Sequence, residues 1–185
     1  MKKIPTVYLR DWDNNPKYVT REPNPDCAWV FAGEGHATRK YDGTCVMFDG
    51  ECWWARREVK PGKYGPVGFR LVEEDPETGK RMGWEPIEQS SFARFHEEAL
   101  ANQAGPWPEG TYELLGPKIN GNPEDLDLHW LQPHAAATSW DDAPRDYDGL
   151  REWLHARPYE GIVWHHEDGI RMAKIKGRDF PKENA

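Results

Sequence analysis

The apolar residues of this chain fall into short runs, most of them alternating with polar residues at the two-residue period of a half-buried strand. Residues 44–48 (Thr-Cys-Val-Met-Phe) and 51–55 (Glu-Cys-Trp-Trp-Ala) flank Asp49-Gly50. That dipeptide takes the positive φ angles of a type I′ turn and predicts a hairpin with a two-residue connection. Residues 161–166 and 170–176 predict a second hairpin across Glu167-Asp168-Gly169. Residues 28–32, 69–73 and 111–115 predict further strands, each rich in β-branched, aromatic or aliphatic side chains and bounded by Gly or Pro. Helical spacing is rarer. Phe92, Phe95 and Ala99 predict a helix over 91–103 with Ser90 or Ser91 as N-cap, and Leu150, Trp153 and Leu154 predict one over 147–157. Residues 1–25 and 177–185 carry no such pattern and are expected to be loosely held ends. The 16 prolines and 17 glycines are spread along the chain and keep its segments short. The class expected is therefore α+β, mostly antiparallel sheets with flanking helices, in a single domain over 1–185 without internal repeats.

Composition narrows this picture. At 185 residues and 37% hydrophobic content one core suffices without disulfides or structural metals. No apolar run approaches the ~18 residues of a membrane span, and the start Met1-Lys2-Lys3-Ile4-Pro5 lacks the apolar stretch of a leader, so a cytoplasmic protein without membrane contact is expected. Cys27, Cys45 and Cys52 are an odd number with no CxxC pair and read as reduced core thiols. His165-His166 and the pair His129 and His134 find no cysteine or further histidine at a spacing that completes four zinc ligands, so structural zinc is not expected. With 32 acidic against 24 basic residues, net charge −8, the chain is not a protein that coats nucleic acid indiscriminately. Acids gather at 73–75, 124–127 and 141–142, which read as solvated faces. Bases gather at Arg56-Arg57, along 60–70 and along 174–178, leaving room for one basic groove.

Five short segments carry candidate chemistry. Lys40-Tyr41-Asp42-Gly43 precedes the Asp-Gly hairpin and reads as a lysine at a strand entry beside a glycine that permits close approach. Trp54-Ala55-Arg56-Arg57 offers guanidinium groups suited to bidentate phosphate contact. In Tyr112-Glu113-Leu114-Leu115-Gly116 strand alternation turns Glu113 away from Tyr112 and Leu114. Glu160-Gly161-Ile162-Val163 sets an acid at the start of an apolar strand. Lys174 and Lys176 share one face of the last strand while Ala173 and Ile175 take the other, and two ammonium groups so placed repel unless an anion sits between them.

In this order, Lys-x-Asp-Gly, an arginine about one hairpin later, a strand Glu, Glu-Gly-Ile-Val and Lys-Ile-Lys resemble the covalent nucleotidyltransferase superfamily of polynucleotide ligases and mRNA-capping enzymes. The resemblance runs from about Trp29 to Phe180. Within the superfamily three segments look like a small RNA ligase family found in phages and cells: Gly33-Glu34-Gly35-His36-Ala37-Thr38-Arg39-Lys40, 112–123 (Tyr-Glu-Leu-Leu-Gly-Pro-Lys-Ile-Asn-Gly-Asn-Pro) and His129-Trp130-Leu131-Gln132-Pro133-His134. DNA ligases and capping enzymes usually carry Arg two residues after the first-motif Gly. Thr44-Cys45 follow Gly43 here, which favours RNA.

The resemblance implies an ATP-grasp-like nucleotidyltransferase fold and an ATP-dependent RNA ligase that joins 3′-OH and 5′-phosphate ends, as a monomer, in bacterial or phage-infected cytosol. Lys40 is then the nucleophile that takes AMP from ATP, with Thr38 and Arg39 beside it in the nucleotide site and Asp42 orienting Lys40 or a metal-bound water. Glu113 binds ribose, Lys174 and Lys176 contact the α-phosphate, and Glu160, with Asp42, holds Mg²⁺ or Mn²⁺. Arg56 contacts phosphate, with Arg57, Lys60 and Lys63 as further RNA contacts. Trp130 and Trp164 are the stacking candidates nearest the motifs. Only Gly177 to Ala185 follow Lys176, so no OB-fold domain is expected in this chain. The same lysine chemistry serves a capping-type guanylyltransferase or a DNA ligase, and a non-catalytic nucleotide- or RNA-binding module is the alternative of a different class.

Overall fold

The computed structural model describes residues 2–181. Its strands are β1 (Tyr8–Arg10), β2 (Val19–Pro23), β3 (His36–Lys40), β4 (Thr44–Phe48), β5 (Trp53–Val59), β6 (Arg70–Glu74), β7 (Arg81–Pro86), β8 (Gly110–Leu115), β9 (Trp130–Pro133), β10 (Gly161–His165) and β11 (Met172–Lys176). The α-helices are α1 (Ala28–Phe31), α2 (Ala93–Asn102) and α3 (Tyr147–His155). The strands form an antiparallel pair β1-β2, a three-stranded sheet β11-β10-β3 and a six-stranded sheet β6-β7-β5-β4-β8-β9, with every strand pairing antiparallel. The α+β, antiparallel expectation is met. Among the described residues no helix is long and apolar enough to cross a membrane.

The chain groups into two compact units, each with its own core. One comprises Asp42–Ala136 with the first residues of the chain up to Lys3. Here Val46, Tyr112, Leu114 and Leu131 line one face of the six-stranded sheet and bury against Ile87, Ala99 and Ile119, with Phe92 and Phe95 of the α2 segment packed on them. The other comprises Ile4–Tyr41 and Ala137–Ala185. Its core joins Ile162, Trp164, Ala173 and Ile175 of the three-stranded sheet to Leu150 and Leu154 of α3, Trp29 and Val30 of α1, and Val7, Tyr8 and Phe180.

Several elements depart from the sequence expectation, each for a local reason. Residues 28–32 form helix α1, not a strand. The Asn24 side chain accepts the Asp26 N–H, Pro25 occupies the first position of the preceding 3₁₀ turn, and Gly33, at φ +89°, ends the segment. The first hairpin is present, but Phe48 pairs with Trp53, so the connection is Asp49–Cys52 and not Asp49-Gly50 alone. Asp49 rebuilds the loop by accepting the N–H groups of Glu51 and Cys52. The second hairpin pairs His165 with Met172, leaving a loop over 166–171 in which Asp168 accepts from the N–H groups of Ile170 and Arg171. Helices α2 and α3 lie where expected. Asp146 caps α3 through the Gly149 N–H, whereas Ser90 accepts only from the Phe92 N–H and α2 has no side-chain cap.

Residues 1–25 are not a loose end where described. Pro5 and Val7 exchange backbone bonds with Lys174, and Val7, Tyr8 and Val19 are buried. At the other end Phe180 is 1% exposed, and the expectation for 182–185, like that for residue 1, lies outside the described residues. Of the cysteines only Cys27 is a buried core thiol; Cys45 is partly buried and Cys52 exposed.

The link from β8 to β9 has an unusual backbone. Lys118, Asn120, Asn122 and Asp125 all take positive φ, from +48° to +66°, around the fully buried Ile119. Asparagine and aspartate visit this region at the lowest cost after glycine, because the short polar side chain bonds to nearby backbone. Asn122 does so, accepting from the Leu126 N–H and donating to the Leu126 carbonyl.

Candidate functional site

The register of the three-stranded sheet places the lysines. Lys40 of β3 and Lys176 of β11 both pair with Gly161 of β10, and Thr38 and Lys174 both pair with Val163. Strand alternation therefore brings Thr38, Lys40, Lys174 and Lys176 to one face, while Arg39, Ile162, Ile175, Ala37, Trp164 and Ala173 turn to the other. Gly161 leaves an open place between Lys40 and Lys176. A Cβ there would lie against the Ile175 carbonyl and 2.8 Å from the Lys176 Cα, so β10 and β11 approach closely only over glycine.

Glu160 enters this row from the residue before β10. Its Oε2 meets Lys40 Nζ at 2.5 Å and its Oε1 meets Lys176 Nζ at 2.5 Å, with Arg178 Nη2 at 3.6 Å. The Glu160 side chain is 5% exposed, against 20% for Lys40 and 16% for Lys176. Burial alone would raise its pKa, but the ammonium groups of Lys40 and Lys176 outweigh burial and hold the carboxyl below its ordinary value. Lys174 moves as a cation should: burial first, then the charges of Lys176 and Lys40, push it down to about 8. One carboxylate thus stands against two lysines and an arginine, beside a third lysine, and the face carries surplus positive charge suited to an anion.

Other expected residues of this unit take supporting places. Thr38 donates its hydroxyl to the Val163 carbonyl and meets His165 Nε2 at 3.1 Å. The Arg39 guanidinium stacks on Tyr159 and Tyr41, 3.9 and 4.4 Å from the ring centroids. Lys40 is the last residue of β3, and the turn over 41–43 leads from it into β4 at Thr44, so the lysine ends one strand as well as preceding the hairpin strand that the sequence suggested. Trp164 is fully buried in the core and cannot stack on a ligand. Asp179, unnoticed in the sequence, is 3% exposed; it accepts the Lys176 N–H and pairs with Arg10 at 2.8 Å, fixing the end of β11.

In the unit Asp42–Ala136 the turn after the lysine is held from three directions. The Asp42 N–H donates to Glu124 at 3.0 Å and the Gly43 N–H to Glu113 at 3.1 Å. Asn120 Nδ2 donates to Asp42 Oδ1 and to the Gly43 carbonyl, at 3.1 and 2.7 Å. A Cβ on Gly43 would meet the Leu114 carbonyl and lie 2.8 Å from Glu113 Cγ. Glu113 is 8% exposed and also meets His134 Nε2 at 2.9 Å, while His134 Nδ1 meets Thr111 Oγ1 at 2.8 Å. The pairings of Cys45 with Glu113, Met47 with Thr111 and Met47 with Trp54 put these residues on one sheet face, and alternation adds Arg56. Arg57 points to the opposite face and pairs with buried Glu85 at 3.7 Å. Lys60 and Lys63 are exposed in the loop between β5 and β6, which also holds Tyr64, 97% exposed. Trp130 is 43% exposed and is the stacking candidate that reaches the surface. Asn120, Glu124 and His134 carry roles that strand alternation could not assign, because all three lie outside the strands.

No protein-family model matches this chain. Among curated proteins it is similar to RNA ligase 1 of Rattus norvegicus, of Mus musculus and of Pongo abelii, each 30% identical over 151 residues. Each match covers 64% of this chain and 44% of the relative, so the chain spans less than half the length of the curated relatives it matches.

Proposed function

We propose that this chain is an ATP-dependent RNA ligase of the covalent nucleotidyltransferase type, with the ATP-grasp-like fold of that superfamily. The observation that carries the reading is the row Lys40–Gly161–Lys176 with Glu160 bonded to both lysines: residues 120 and 16 apart in sequence meet in one ion-paired cluster. The similarity to RNA ligase 1 supports RNA as the polynucleotide.

In this reading Lys40 Nζ attacks the α-phosphorus of ATP; a P–N bond forms, the bond to the bridging oxygen breaks, and pyrophosphate leaves. AMP then passes to an RNA 5′-phosphate, and a 3′-hydroxyl displaces it. Covalent catalysis divides one difficult displacement into easier steps. Phosphoryl transfer rests on positioning and on neutralising oxygen charge, the part assigned to Lys174 and Lys176. Attack requires a neutral Lys40 amine, so in this reading the Lys40 ammonium gives up its proton and its ion pair with Glu160 before the P–N bond forms. Glu113 is assigned the ribose, and Arg56, on the same sheet face, the phosphate end.

Mg²⁺ enters as the counter-ion of ATP. Glu160 has both oxygens on ammonium groups and Asp42 has Oδ1 on Asn120, so a metal at Glu160 has to displace an ammonium. Glu160 is accordingly assigned as the lysines' counter-ion, and no step is routed through a metal bound there.

The test is intact mass after incubation with ATP and Mg²⁺, alongside Lys40→Ala. The expected result is a gain of one AMP by the wild type alone, mapped to Lys40. Labelling by GTP in place of ATP moves the assignment to capping chemistry, and no gain with either nucleotide overturns the covalent reading.

A further inference from the structure

Beyond the lysine face, the unit Asp42–Ala136 holds a second group of donors of a different chemical character. Cys45 Sγ, a carboxylate oxygen of Glu113 and a ring nitrogen of His134 all lie within 4.8 Å of one another. We infer that these three side chains form a binding site for a thiophilic divalent cation, Zn²⁺ in the first place. Sulfur, imidazole and carboxylate donors together suit zinc; a hard cation such as Mg²⁺ takes oxygen alone. Three protein ligands leave a fourth position for water or another small ligand.

The ligands are carried by rigid elements. Cys45 and Glu113 are directly opposed across β4 and β8, and His134 follows the end of β9, the strand that flanks β8 on its other side. Their partners are already arranged as an outer shell. Thr111 Oγ1, 2.8 Å from His134 Nδ1, can accept that nitrogen's proton and so leave Nε2 free for a metal. The second oxygen of Glu113, Oε1, accepts the Gly43 N–H, which keeps Oε2 turned toward His134. In the metal-free protein the Glu113–His134 contact at 2.9 Å is a hydrogen bond. Binding replaces the contact between His134 and Glu113 by a bond from each to the cation, with Cys45 bound as thiolate.

A cation here removes a Glu113 oxygen from any other partner. This consequence rests on the ribose assignment made above and the site itself does not: Zn²⁺ then competes with ATP, and the site is an inhibitory one.

Cobalt(II) reports the ligands directly, since cysteine thiolate gives a strong charge-transfer band that oxygen and nitrogen donors lack. Titrating the nucleotide-free protein with Co²⁺ is expected to give one ion per chain with that band, displaced by Zn²⁺. Cys45→Ser should abolish the band, His134→Gln should weaken binding at least tenfold, and exposed Cys52→Ser should change neither. Thermal melts of the variants separate lost ligation from lost folding. No band, or a band that survives Cys45→Ser, overturns the site. Adding ATP to the cobalt-loaded protein then tests the second part. Loss of the band supports competition; an unchanged band at saturating ATP refutes the inhibitory role and leaves the metal site standing. Because the titration needs no AMP transfer, its failure and the failure of the ligase reading are separate results.

Discussion

In the proposed ligase, Lys174 trades stability for chemistry. Its pKa falls from 10.5 to about 8 in the folded protein. Between those values the unfolded chain binds more protons than the native state, so stability rises with pH across that window. Below about pH 8 the fold carries the whole penalty, about 3 kcal/mol. Lys174→Met is therefore expected to raise the Tm at pH 7 and to flatten the rise between pH 8 and 10.5, while slowing AMP transfer. Thermal melts at a series of pH values, with the mass assay, decide it; a lower Tm at pH 7 would contradict the account. The face shared by Lys174 and Lys176 was legible in the sequence because alternation alone assigns it. The bond from Glu160 to both lysines was not, since it depends on Gly161 standing opposite two strands at once.

At the scale of elements, the closeness of β10 and β11 depends on that glycine. Gly161→Ala sets a methyl group against the Ile175 carbonyl and the Lys176 Cα, and the strands must part or tilt. The expected cost is about 1–3 kcal/mol of stability, with a larger fractional loss of AMP transfer, because Glu160 is the neighbouring residue. Urea denaturation with the mass assay measures both, and a variant of wild-type stability and rate would show that the approach is not tight. Strands and helices with a clear period were readable: the two hairpins, β6, β8, α2 and α3. The hairpin loops came out longer than expected because Asp49 and Asp168 fold extra residues into side-chain-capped turns. The apolar run at 28–32 was too short for periodicity to separate helix from strand. β1 and β2 escaped because the segment is ordered by distant partners, Pro5 and Val7 on Lys174 and Arg10 on Asp179, which no local pattern announces.

For the molecule as a whole, net charge −8 sets the background against which any basic contact acts. If Lys60 and Lys63 meet single-stranded RNA phosphates, each contributes ~0.7 to the slope of log affinity on log salt. The double variant Lys60→Ala, Lys63→Ala should lower that slope by ~1.4, as read by RNA binding over a salt series. An unchanged slope would place the RNA elsewhere. The division into two cores was hidden from the sequence, because residues 4–41 share a core with residues that follow Ala136 and are separated from them in sequence by the other unit. Hydropathy reports which residues are buried but not which of two cores receives them.

The bend held by Asn120 also gives the protein a chemical clock. Asn120 precedes Gly121, the neighbour that least hinders attack of the following backbone nitrogen on the side-chain amide, the route by which asparagine deamidates. The amide nitrogen lost in that reaction is the one that donates to Asp42 and to the Gly43 carbonyl. Ageing at this position turns a double donor into a carboxylate facing two acceptors. The turn that follows Lys40 then loses one of its three holds. Peptide mapping of aged protein at Asn120, beside its thermal melt, measures that loss.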